Sequence, residues 1–146
     1  MRIRRTALAL TVALAFGAPF AYGQSAHQHD HGAAEVKLVL DQGKKWPTDA
    51  PLRQGMENIR AALGAGMKYQ ALANKVNAEV AGIVQNCKLA PQADAQLHIV
   101  IAELMAGAEA MEGKVKGETR RAGAEKVARA LNAYGEHFDH AGWKRL

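Results

Sequence analysis

Tyr69-Gln70-Ala71-Leu72-Ala73-Asn74-Lys75-Val76-Asn77-Ala78-Glu79-Val80-Ala81-Gly82-Ile83-Val84-Gln85-Asn86-Cys87 is the stretch that decides the fold. At 100° per residue, Tyr69, Leu72, Val76, Val80, Ile83 and Cys87 fall within about 40° of one line, so the segment reads as an amphipathic helix ended before Pro91. Upstream, Leu52, Met56, Ile59 and Leu63 recur at helical spacing. Thr48 or Asp49 is the candidate N-cap, Pro51 sits in the first turn, and Gly64 and Gly66 close the helix. Downstream, Leu97, Val100, Ile101, Leu104, Ala108 and Met111 form a third stripe that stops at Gly113. A fourth runs through Ala124, Val127, Leu131, Tyr134 and Phe138 and is expected to end near Gly142-Trp143. Four amphipathic segments joined by short breaks predict an all-α, antiparallel four-helix bundle over residues 48–146.

The bundle is preceded by two segments of different character. Arg2, Arg4 and Arg5 followed by the apolar run Ala7 to Phe16, with small residues at Ala21 and Gly23, read as a cleavable signal peptide over residues 1–23. The run is too short for a bilayer, which needs about 20 apolar residues, so no membrane span is expected after cleavage. Thr6-Ala7 is a poor continuation of a twin-arginine signal, and the expected destination is the periplasm or the exterior. Residues 24–47 form a flexible, His-rich arm. Within it, Val36 to Leu40 is a short apolar piece with no strand partner in sight, expected to lie extended along the body.

Charge excludes one class of partner. The formal charge is +5 with six histidines uncounted, and it falls to +2 once Arg2, Arg4 and Arg5 leave with the signal. Aromatic residues are sparse and the basic residues are interleaved with acids, so no nucleic-acid partner is expected. Cys87 is the single cysteine, which rules out an internal disulfide.

The chemistry-bearing residues are histidines and sulfur. His27, His29 and His31 alternate in His-Gln-His-Asp-His-Gly, and imidazoles at that density suit copper, zinc or nickel. If cleavage follows Gln24, the chain begins Ser25-Ala26-His27, and the amine, two amides and the imidazole supply a square-planar nitrogen set for Cu(II) or Ni(II). If it follows Gly23, the histidines remain a simple chelating tract. Met56 and Cys87 lie on apolar stripes, where sulfur residues normally fill core space, although a thiolate beside imidazole also suits Cu(I). His98 falls at the edge of its stripe, as a boundary residue or a ligand. His137 and His140, three apart, either share one ion on a helix face with Glu136 or Asp139 nearby, or face solvent near a helix C-terminus. No nucleophile elbow or serine triad spacing occurs, and Cys87 with His98 makes only a weak nucleophile-base pair, so no enzymatic activity is expected.

Two resemblances bear on these residues. Gln54-Gly55-Met56-Glu57-Asn58-Ile59, Glu112-Gly113-Lys114-Val115-Lys116 and Asn132-Ala133-Tyr134 resemble parts of the cytochrome b562 family, periplasmic four-helix bundles whose haem iron is held by a methionine and a histidine. That resemblance implies haem b held by Met56 and a shifted histidine, His137, because Gly135 stands where the family histidine would follow the triplet. Gly43-Lys44-Lys45-Trp46, Thr48-Asp49-Ala50-Pro51-Leu52-Arg53-Gln54-Gly55-Met56 and Asn86-Cys87-Lys88-Leu89 resemble small exported DnrO-like proteins of proteobacteria, a group without a settled biochemical role. The expectation is an exported metal-binding protein, copper first, with a haem carrier and a cofactor-free bundle that contacts another periplasmic protein as the alternatives.

Overall fold

The computed structural model describes residues 37–146. The signal segment and the histidines at 27, 29 and 31 lie outside them. Four helices make up the body: α1 (Ala50–Gly64), α2 (Tyr69–Asn86), α3 (Pro91–Glu112) and α4 (Arg120–His137). Their short connections hold consecutive helices as antiparallel neighbours.

Local chemistry accounts for most helix ends. The Asp49 carboxylate accepts the Leu52 N–H at 3.0 Å and caps α1, satisfying one of the backbone donors that a helix start leaves open. Thr119 does the same for α4 through the Ala122 N–H at 3.1 Å. Gly113, at φ +80°, terminates α3 in the left-handed region, where a Cβ is unfavourable. Between α2 and α3 the chain runs extended at Cys87 and again at Ala90, as the residue before Pro91 must.

One apolar core holds the helices together. Leu52, Met56 and Ile59 of α1 meet Leu72, Val76, Val80 and Ile83 of α2, Leu97, Val100, Leu104 and Met111 of α3, and Val127, Leu131 and Tyr134 of α4. Burying each large side chain contributes about 1.5–3 kcal/mol. Two polar cross-links fix neighbouring helices against each other: Asn58 donates to Glu79 at 3.0 Å, and Asn77 donates to Glu112 at 3.0 Å. The α3·α4 pairing is the closest, because Gly107 and Gly123 bring the two backbones together.

Three expectations are corrected. Tyr69 begins α2 but is 39% exposed, outside the core stripe. The fourth helix ends at His137, short of Gly142-Trp143, because Phe138 turns extended and pairs in a parallel bridge with Trp46. His140 is therefore not on a helix at all, and the helical i, i+3 geometry proposed for His137 and His140 does not exist.

Within the described residues the apolar piece runs along the body, while Val36 lies outside them. Leu38 and Trp46 pack on the core, the Val39 N–H donates to the Gln96 side chain at 2.7 Å, and Asp41 and Lys44 close a tight turn. The Trp46 N–H donates to the His137 carbonyl and the Asp139 N–H to the Trp46 carbonyl, both at 2.8 Å. Trp46 is thus fixed against the start of the C-terminal segment.

Candidate functional site

Cys87 and His98 come from different helices, and the fold brings them to one place. Cys87 occupies the C-cap of α2, while Asp94 and His98 lie one turn apart on α3. These three side chains, with Ile83, Leu97 and Ile101, border a cavity of about 40 Å³. That space accommodates a water molecule or a small ion, which needs at least about 10–15 Å³. It is far too small for a haem or an organic substrate.

The His98 ring has a defined orientation. Its Nδ1 lies 2.9 Å from the Asp94 backbone carbonyl and 3.5 Å from the Asp94 carboxylate. A carbonyl oxygen can only accept, so Nδ1 carries the proton and the neutral ring presents its lone pair at Nε2. This is the tautomer that metal-binding histidines use. His137 repeats the pattern on α4, with Nδ1 2.8 Å from the Ala133 carbonyl.

Cys87 is chemically masked. Its thiol pKa is pushed up to about 12, chiefly by burial, then by the negative charge of Asp49 and by donation of the S–H to that carboxylate. Asp49 also accepts the Lys88 N–H at 2.6 Å. Burial would raise its own pKa, but the hydrogen bonds from Lys88, Leu52 and Cys87 outweigh that and hold it below the usual 3.8. A carboxyl depressed in this way contributes stability above its unfolded pKa, and that contribution is lost as the pH falls through the folded value. One carboxylate therefore ties the start of α1 to the end of α2. Asp49→Ala is expected to cost about 1–2 kcal/mol of unfolding free energy, the value of a lost N-cap, measured by urea denaturation at neutral pH. The deficit should shrink below pH 4.

The remaining candidates are dispersed. Met56 has no exposed surface and is enclosed by the core, so Met56 and His137 do not fit a haem: its macrocycle has no room beside the thioether in this packing. The Nδ1 of His140 faces the Tyr134 hydroxyl at 3.0 Å, in a half-buried position at the end of the molecule. Among the described residues, no three or more His, Cys, Asp and Glu side chains are arranged to hold a metal ion. None of the helices among them is long and apolar enough to cross a membrane.

Comparison with protein-family models, curated proteins and solved structures returned no match. Sequence reading missed Asp94 as the partner of His98 and Asp49 as the acceptor of the Cys87 thiol. The first was available in principle, since Asp94 and His98 are four residues apart on one helix.

Proposed function

We propose that the protein is an exported, non-catalytic metal-binding protein, with copper as its first cargo and zinc and nickel as competing ions. The carrying observation is the alternating set His27, His29 and His31 behind a segment with the composition of a secretion signal, since clustered imidazoles bind these metals outside any preformed cage. The described body supports a secondary role. The exposed His98 and the half-buried His137 each have Nδ1 engaged by a backbone carbonyl, which leaves Nε2 as the ligating nitrogen, and Cys87, Asp94 and His98 border an ion-sized space. Neither arrangement completes a coordination sphere, which leaves the histidine tract as the principal ligand set.

The non-catalytic reading draws on Cys87. A thiol held protonated by burial and a neighbouring carboxylate is a poor nucleophile, and His98 is turned toward Asp94 instead. Resemblance to small exported DnrO-like proteins is compatible with this reading and adds no activity to it.

The test is direct titration of the exported protein with Cu(II) and Zn(II) by calorimetry, beside a variant lacking residues 24–32. Binding at micromolar affinity or tighter is expected in the parent, and most of it should vanish in the deletion. Affinity should also fall as the pH drops below about 6.5, because imidazole must be deprotonated to ligate. Unaltered binding in the deletion variant would remove the tract from the mechanism.

A further inference from the structure

The C-terminal segment beyond α4 closes over the end of the bundle through aromatic contacts that no part of the metal reading uses. Phe138 is buried and anchored by the Trp46 bridge. Asp139 is held on both sides, its N–H donating to the Trp46 carbonyl at 2.8 Å and its carbonyl accepting the Thr48 hydroxyl at 2.6 Å. From His140 onward the attachment changes. The His140 Nδ1 meets the Tyr134 hydroxyl at 3.0 Å, and the Trp143 indole stacks edge-on to Tyr134 with centroids 4.9 Å apart. Trp143 also lies 5.0 Å from the His140 ring, and the Arg60 guanidinium sits 5.6 Å from the indole centroid.

Gly135 makes this seat possible. A Cβ at that position would stand 2.2 Å from the indole of Trp143, so any other residue displaces the ring. The other ties of this segment are peripheral: Arg145 with Glu136 at 3.2 Å, largely solvated, and the Leu146 N–H with Asn132 at 2.9 Å. Exposed contacts of this kind contribute little. The segment hangs on His140 and Trp143.

We propose that His140–Leu146 is a proton-operated latch: protonation of His140 releases the Trp143 indole from its seat on Gly135 while the four helices stay assembled. Tyr134 is buried, and its pKa is raised, chiefly by that burial. It therefore stays protonated, and in the tautomer of His140 whose Nδ1 is bare it donates its O–H to that nitrogen. Protonating the ring turns Nδ1 into a donor, so the contact must reverse onto the phenol oxygen and the buried phenol hydrogen is left without an acceptor, which costs free energy.

The charges around the ring come from α1 and from the segment itself. Burial disfavours the imidazolium most; Glu57 favours it, and Arg53 and Arg60 oppose it, so the His140 pKa sits below its ordinary 6.5. Glu57 is a weak counterweight, because its carboxylate is already engaged by Arg60 as an ion pair. Lys144, which also faces Glu57, further shares that charge. From α4, His137 points its Nδ1 at Ala133 and Glu136 is paired with Arg145. A histidine depressed in the folded state keeps the latch closed above its free pKa of 6.5. Closure weakens as the pH falls from there toward the folded value and levels off below it.

Nuclear magnetic resonance of the ¹⁵N-labelled exported protein tests this, with a chelator present so that metal binding plays no part. As the pH is lowered from 7.5 to 5, the Trp143 indole N–H should move toward the free-indole position with the midpoint of the His140 ring titration, below 6.5, while helical amides hold still. In His140→Gln, whose amide oxygen can accept from Tyr134 without titrating, the movement should disappear. In Gly135→Ala the indole should be free already at pH 7.5. A Trp143 signal that stays put while His140 titrates overturns the latch, as does an acid transition that persists in His140→Gln. Should that variant fail to fold, agreement or disagreement of the two midpoints in the unmutated protein decides the matter alone.

Discussion

Gly123→Ala should lower stability by about 2–3 kcal/mol, which for a body of this size means a fall in Tm of roughly 10–15 °C. The reason lies in the closest helix pairing. A Cβ on Gly123 would stand 2.6 Å from the Gly107 carbonyl oxygen and 2.7 Å from the Met111 backbone nitrogen. Both obstacles are backbone, so relief requires α3 and α4 to move apart along Ala108, Ala110, Val127 and Ala130, which are packed with almost no exposed surface. Helix propensity works the other way, since alanine is favoured over glycine by about 1 kcal/mol in a helix interior. The same substitution at Gly82 isolates that opposing effect. Gly82 lies inside α2 with nothing within 4 Å of its would-be Cβ, so Gly82→Ala should stabilise by about 0.5–1 kcal/mol. Thermal unfolding of the two variants against the parent would therefore show shifts of opposite sign. A Gly123→Ala protein that melts with the parent would mean that the two helices do not approach as closely as described.

The legibility of this fold in the sequence follows the range of the forces that set each feature. The helix start at Asp49 and the stop at Gly113 are local chemistry, decided within a few residues, and the apolar stripes carry the core positions from Leu52 to Leu131; the Thr119 cap is equally local but went unread. The end of α4 is decided elsewhere. Helical periodicity continues past His137 to Phe138, but the backbone there leaves the helix to pair with Trp46, about ninety residues earlier in the chain. That pairing changes what His140 is, from a helical residue to a half-buried partner of Tyr134. The site shows the same division. Cys87 and His98 could be weighed together from the sequence, yet whether they meet depends on how α2 packs beside α3, which the spacing along one chain does not encode. The Cys87 environment was hidden altogether, because the carboxylate that controls it belongs to the cap of a different helix.

That carboxylate leads to the second large effect, on the reactivity of the only thiol. Alkylation by iodoacetamide proceeds through the thiolate, whose population at neutral pH falls tenfold for each unit of pKa above the solution pH. Raising Cys87 from 9.0 to about 12 therefore slows the folded protein roughly a thousandfold relative to the urea-unfolded chain, with steric cover slowing it further. Asp49→Asn should recover part of that factor while keeping a competent N-cap, since asparagine serves that position as well as aspartate. Full recovery is not expected, because burial is the larger cause and remains in the variant. A folded-state rate within tenfold of the unfolded one would show that the thiol is neither enclosed nor opposed by Asp49. The consequence for metal is a division by pH. A metal ion that takes sulfur from Cys87 must expel a tightly held proton, so its apparent affinity there rises by about tenfold per pH unit up to the thiol pKa. Imidazoles release their protons near 6.5 and meet no such obstacle. Around neutral pH, copper offered to the whole chain should therefore settle on His27, His29 and His31 and leave Cys87 free to be alkylated at its slow intrinsic rate. Protection of the thiol by Cu(I) should emerge only as the solution is made alkaline.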